Sequence, residues 1–197
     1  MNGSIFLSAS IPLPERHPKY LGTADVVAIR DSIRALVSLI VPDRQLVFGG
    51  HPAITPLLRL LVRGMTANVR AHVILYQSRF FESQFPPEVA EFEEVRLVDS
   101  VPQNLNASLE RMRTAMIGDN AFQAGVFIGG MEGVETEYDM FRRLHPGLPA
   151  YPIASTGAAA RILFDKFTPD RHDLLNELTY LSLFRRLLNP LPPGARG

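Results

Sequence analysis

The sequence predicts an α/β fold, Rossmann-like in outline: a doubly wound, mostly parallel sheet of about six strands with helices on both faces. Three observations predict it. Short apolar runs alternate with longer helical patterns along the 197 residues. Most of these runs are continuously apolar, as in strands buried on both faces of a parallel sheet. Four of them end in small, polar or glycine residues just before a helix start, which is where an open α/β sheet binds its ligands.

The strands follow in order. "SIFLSAS" (4–10), "QLVFGG" (45–50), "HVILYQS" (72–78), "VRLVD" (95–99), "AGVFIGG" (124–130) and "AYPIAST" (150–156) read as β-structure. After the first comes "SIPLPERHPKYLGTAD" (10–25), too long and irregular for an ordinary βα turn. "ADVVAIRDSIRALVSLIV" then places Val27, Ile33, Leu36, Val37 and Ile40 near one helical face. "AITPLLRLLVRGM" follows the second strand. A second long loop, "SRFFESQFPPEV" (78–89), leaves the third, and loops of this size at strand ends often carry function. "NASLERMRTAMIG" precedes the fifth strand and "VETEYDMFRRL" follows it. "LLNELTYLSLFRRLL" reads as a last helix with Leu174, Leu178, Leu181, Phe184 and Leu188 on one stripe. Strand–helix alternation implies right-handed crossovers. The expected organisation is one domain over 1–189, with residues 170–189 as an extra C-terminal helix and 190–197 as a flexible tail.

Bulk properties narrow the function. Lys+Arg and Asp+Glu both number 20, so the formal net charge is zero. That argues against nucleic acid as a partner, which calls for a basic excess. No cysteine is present, which removes thiolate chemistry and Cys-based zinc sites. His17, His51, His72, His145 and His172 lack metal-ligand spacing, so neither a metal nor another cofactor is expected. No apolar stretch approaches the roughly 20 residues of a membrane span, and "MNGSIFLSAS" has no basic n-region. The expectation is a cytoplasmic protein without a membrane partner.

The candidate site lies at the strand ends. "SAS" offers Ser8 and Ser10; "GGHP" offers Gly49, Gly50 and His51; "GGMEG" offers Gly129, Gly130, Glu132 and Gly133; "STG" offers Thr156 and Gly157. Each precedes a helix start, where unpaired N–H groups favour an anion. Tight turns at strand ends are the structural alternative for any one glycine pair. Glu132 and Glu135 suit the first turn of a helix. Glu137, about one turn on, could bond a ribose hydroxyl or act as a general base. Arg113 on the preceding helix could meet a phosphate bidentately, or simply be exposed. Arg79 has the same two readings. His51 either contacts a ligand or caps its turn, and Ser155 suits an anion contact better than a nucleophile, since no G-x-S-x-G elbow surrounds it.

At these residues the chain resembles a known family. "GGMEGVETE" is similar to the P-G-G-x-G-T-x-x-E motif of the Lonely-Guy nucleoside-monophosphate phosphoribohydrolases. These belong to the SLOG superfamily, which also includes DNA-processing protein A and nucleotide-sensing domains of TRPM channels and prokaryotic antiviral effectors. "IFLSASIP", "VFGGHPAITPL", "LYQSRFFE", "GVFIGGMEGVE" and "PIASTG" look most like a bacterial branch, SLOG cluster 3. The likeness runs from residue 4 to about 165. It implies that Arg113, counted back from Gly129, takes the family's arginine position. It implies that Glu137 takes the glutamate position, with Met131 or Glu132 as a one-residue insertion. Ile128, Val134 and Thr114 replace the family's proline, threonine and lysine.

Two functions follow from the resemblance. One is a sensor of a nucleotide-derived signal of the NAD or ADP-ribose type, working through a separate effector protein or an oligomeric response. The other is an N-glycosidase using Arg113 and Glu137. Family members commonly dimerise, so a homodimer or higher oligomer is expected, with the last helix either at its surface or in the core.

Overall fold

The computed structural model describes residues 3–15 and 18–189. His17 and the tail 190–197 therefore lie outside the described residues. Six parallel strands form one sheet: β1 (Ser4–Ser10), β2 (Leu46–Gly49), β3 (Val73–Ser78), β4 (Glu94–Val98), β5 (Phe122–Gly129) and β6 (Ala150–Ile153). Their spatial order is β4-β3-β2-β1-β5-β6. The chain builds outward from β1 to β4, then returns to the other side of β1. The β1/β5 boundary is therefore the topological switch point, and it runs in register from Ile5↔Ala124 to Ser10↔Gly129.

The helices are α1 (Pro18–Leu21), α2 (Val26–Ile40), α3 (Thr55–Val62), α4 (Ala67–Arg70), α5 (Leu105–Gly118), α6 (Glu132–Leu144), α7 (Ala158–Phe167), α8 (His172–Asn176) and α9 (Tyr180–Leu188). Two cores form, one on each face of the sheet. On one, Ile5, Leu7, Phe48 and Leu75 pack against Ile29, Ile33, Leu36 and Phe184. On the other, Phe6, Val47 and Phe127 meet Met116, Tyr138 and Phe141. Strand alternation explains the division, because successive side chains point to opposite faces. Phe6 stacks on Phe141 at 5.6 Å between centroids and meets Phe127 edge-on at 5.8 Å.

Local chemistry sets the helix starts. The Asp25 carboxylate accepts from the Ala28 N–H at 2.9 Å and caps α2. Asn104 caps α5 through the Ala107 N–H at 3.0 Å. Val27 departs from its expected face and is 68% exposed. It occupies the first turn, just after the capped start, on the side turned from the sheet.

The C-terminal segment also departs from expectation. It forms two helices, α8 and α9, with extended backbone at Glu177 between them. The Thr179 N–H turns back to the Glu177 carboxylate at 2.9 Å, which competes with helix continuation. The break rotates the apolar stripe. Leu178 becomes exposed, and Tyr180, Leu183, Phe184 and Leu188 are the buried residues of α9. The buried Arg44 ties down its end, donating to the Leu188 carbonyl and to Gln123, both at 3.1 Å.

Candidate functional site

All strand C-termini reach one edge because the sheet is parallel. A cleft of about 620 Å³ opens there. Its floor is Ser8 and Ser10 of β1, Gly49 and Gly50 at the end of β2, and Gln77 of β3. Leu105, Leu109, Met112 and Arg113 of α5 make one wall, and residues 131–134 with Thr136 and Glu137, at the start of α6, make the other. Phe81, Phe85 and Pro86, from the long loop after β3, close the top.

Three side chains interlock at the switch point. Ser8 Oγ donates to Glu137 Oε2 at 2.6 Å. Arg113 Nε donates to Glu137 Oε1 at 3.2 Å. Ser8 is buried, and the Arg113 and Glu137 side chains are only 16% and 13% exposed. Each comes from a different element: Ser8 faces α6 by strand alternation, and Glu137 lies one turn into α6. Arg113 passes close to Gly133, where an added Cβ would lie 3.2 Å from its Nη2. Glycine at 133 thus leaves room for the guanidinium.

Helix α6 begins without a side-chain cap. The Val134 N–H donates to the Met131 carbonyl at 2.9 Å, so Glu132 and Gly133, which line the cleft, carry the first-turn N–H groups that helix geometry leaves without an intrahelical acceptor. Among the described residues the charged groups in the lining are Arg113, Glu132 and Glu137, with His51 beside them. The cleft thus balances one guanidinium against two carboxylates. Burial lowers the pKa of His51 below its ordinary value, and its Nδ1 accepts from the Ala53 N–H at 3.2 Å. His51 is therefore a neutral turn cap that also lines the cleft.

The other candidates lie elsewhere. Gly129 and Gly130 have φ of +56° and +93°. The Gly129 N–H donates to Thr156 Oγ1 at 2.8 Å, and the Gly130 N–H donates to the Ser10 carbonyl at 2.8 Å. A Cβ on Gly130 would sit 2.3 Å from Val134 Cγ2. These glycines let β5 turn tightly into α6, the structural alternative raised by the sequence. Thr156 is fully buried, and its hydroxyl donates to the Ile153 carbonyl at 2.6 Å. Gly157, with φ +70°, packs on the Thr23 backbone. Ser155 Oγ lies 3.2 Å from the Tyr180 hydroxyl. Arg79 pairs with Glu82 at 2.8 Å and Asp99 at 3.2 Å, away from the cleft. Glu135 accepts from Tyr20 at 2.5 Å and Lys19 at 3.0 Å, anchoring α1. Burial and that bond push the Tyr20 phenol up to about 12.

Sequence reasoning missed Gln77, Phe81, Phe85, Leu109 and Met112. Gln77 carried a signal: it is a polar residue near the end of the apolar strand "HVILYQS", the pattern that singled out Ser8 and Ser10. The α5 residues carried none, because an apolar helix face reads the same whether it meets core or cleft. Among the described residues no cluster of three or more His, Cys, Asp or Glu could hold a metal. No helix among them is long and apolar enough to cross a membrane.

The chain matches the SLOG cluster3 family over residues 19–188. The match extends beyond residue 165 through α9, so the C-terminal helices, expected to lie outside the resemblance, fall inside the family region. No curated protein and no solved structure gives a significant match.

Proposed function

The chain belongs to the SLOG cluster3 family, and from that premise we propose that the cleft binds a nucleotide-derived ligand of the NAD or ADP-ribose type, as a sensor. The observation that carries this reading is the Ser8–Glu137–Arg113 cluster in a cleft of about 620 Å³ at the switch point. Ligand sites of roughly 300–1,000 Å³ are typical, and they favour this place in an open α/β sheet. Glu137 accepts ribose hydroxyls on the lone pairs that Ser8 and Arg113 leave unused. The base lies among Phe81, Phe85, Leu109 and Met112, where aromatic and apolar walls suit a flat ring. A phosphate lies at the uncapped first turn of α6.

Two features favour sensing over hydrolysis. Both carboxylate oxygens of Glu137 are already engaged, which suits holding hydroxyls better than taking a proton from water. Thr114, at the family's lysine position, is exposed on α5, and Val134 brings methyl groups where the family has a hydroxyl. The signal passes to a separate effector protein or to a second copy of this chain.

One observation supports the second reading, an N-glycosidase: Glu137 and Arg113 form the pair that hydrolytic relatives of the superfamily use. In that chemistry Glu137 stabilises an oxocarbenium-like state electrostatically while the base departs. Mass spectrometry after incubation with AMP, NAD, ADP-ribose and cyclic ADP-ribose isomers separates the two. The sensor reading expects an intact complex with no free base. Free base from the wild type, absent with Glu137→Gln, would overturn it in favour of hydrolysis.

A further inference from the structure

Gln77 is only 5% exposed and lines the cleft, yet its amide has no hydrogen-bond partner among the described residues. Ser8, Glu137, Arg113, Thr136 and His51, which share the lining, all have partners. The fully enclosed polar atoms without a partner among the described residues belong to Arg59, Tyr138 and Thr168, so the Gln77 amide opens onto the cleft, where a ligand can satisfy it. Its position is also built. A Cβ on Gly50 would lie 2.0 Å from Gln77 Nε2. The amide therefore lies where a Gly50 side chain would be, and glycine there is what lets it reach the cleft.

Position suggests which part of a ligand it meets. Gln77 is on β3, two strands from β1 in the sheet, about 10 Å away laterally. The register Leu7↔Phe48↔Leu75 sets it one residue beyond the row of Ser8 and on the opposite side-chain alternation, and Gly50 leaves its amide room to reach the cleft at the strand ends. A ligand with its ribose at Glu137 would carry its base toward β3. An amide presents a donor and an acceptor side by side, and glutamine pairs in this way with adenine. The lining balances two carboxylates against one guanidinium, so a base edge bearing an N–H donor fits better than one lined by carbonyl oxygens.

We propose that Gln77 determines base specificity in this cleft, reading an adenine-type edge through paired hydrogen bonds. Its carbonyl accepts from the exocyclic amino group, and its N–H donates to the neighbouring ring nitrogen. The inference rests on the nucleotide reading above. The test is calorimetric titration with AMP and ADP-ribose, and with analogues of each in which hydrogen replaces the 6-amino group. In the wild type the analogues should bind roughly 5- to 150-fold more weakly. Gln77→Leu should abolish that difference, and the near-isosteric Gln77→Glu, which keeps the acceptor and loses the donor, should weaken both the parents and the analogues. The wild-type comparison stands even if a variant folds poorly. Equal binding of parent and analogue to the wild type would overturn the role of Gln77 alone, as would a preference that survives Gln77→Leu. Failure of all four ligands to bind the wild type would overturn the nucleotide reading with it.

Discussion

The Arg113–Glu137 pair shows how a single glycine can serve a site rather than a turn. Gly133 has no left-handed backbone, and among the described residues the one nearby atom outside its own helix backbone that a Cβ would crowd is Arg113 Nη2. Gly133→Ala should therefore leave thermal stability unchanged or raised by up to about 1 kcal/mol, since alanine is the better helix former. It should still weaken ligand binding by displacing the guanidinium; parallel melting and binding curves would separate the two effects. Gly130→Ala should behave oppositely. Its φ of +93° and its contact with Val134 predict a loss of about 2–4 kcal/mol in denaturant unfolding. His51 adds a pH dependence. Its pKa is lowered in the folded state by burial, so the unfolded chain takes up the proton first as pH falls. Its contribution to stability is full above about pH 6.5 and declines as pH falls toward the lowered folded value. His51→Asn should therefore show a smaller loss of stability between pH 7.5 and 5.5 than the wild type, measured by urea unfolding.

At the scale of elements, most of the fold was legible in the sequence because its strands are short, continuously apolar and separated by strong helix signals. β1 begins and ends where "SIFLSAS" does, and β3 and β5 shift by only one or two residues. The C-terminal helix was not legible. A stripe at helical spacing assumes a continuous helix, and the side-chain bond from Glu177 to the Thr179 N–H breaks it. The consequence is that α9 packs on α2 through Leu183 and Phe184, both fully buried. Leu183→Ala should cost about 2–5 kcal/mol. Leu178→Ala, at an exposed position, should change stability by no more than about 0.5 kcal/mol. A comparable loss at both positions would argue for the continuous stripe instead.

At the scale of the whole molecule, the zero formal net charge and the cleft's balance of carboxylates set limits on the ligand. A triphosphate would bring several negative charges toward Glu132 and Glu137, with Arg113 the only cation among the described lining residues to offset them, so ATP should bind more weakly than AMP, and the gap should narrow as salt is raised. The candidate site was half legible for a related reason. Ser8 near the end of β1, and Glu137 one turn into the helix that follows β5, are announced by chain order. Phe81, Leu109 and Met112 enter the cleft only through tertiary packing of a loop and a helix face. Conversely, Gly129, Gly130 and Thr156 carried the strongest sequence signal and lie outside the cleft, because a tight β5–α6 turn needs the same residue types as a phosphate cradle. The central claim is that this cleft holds a nucleotide-derived ligand with its ribose on Glu137. Calorimetric titration of ADP-ribose into the wild type and Glu137→Gln tests it most directly. Saturable binding is expected, one ligand per chain, weakened at least about tenfold by the substitution while the variant still melts cooperatively. Absence of saturable binding, or equal affinity in the folded variant, would contradict it.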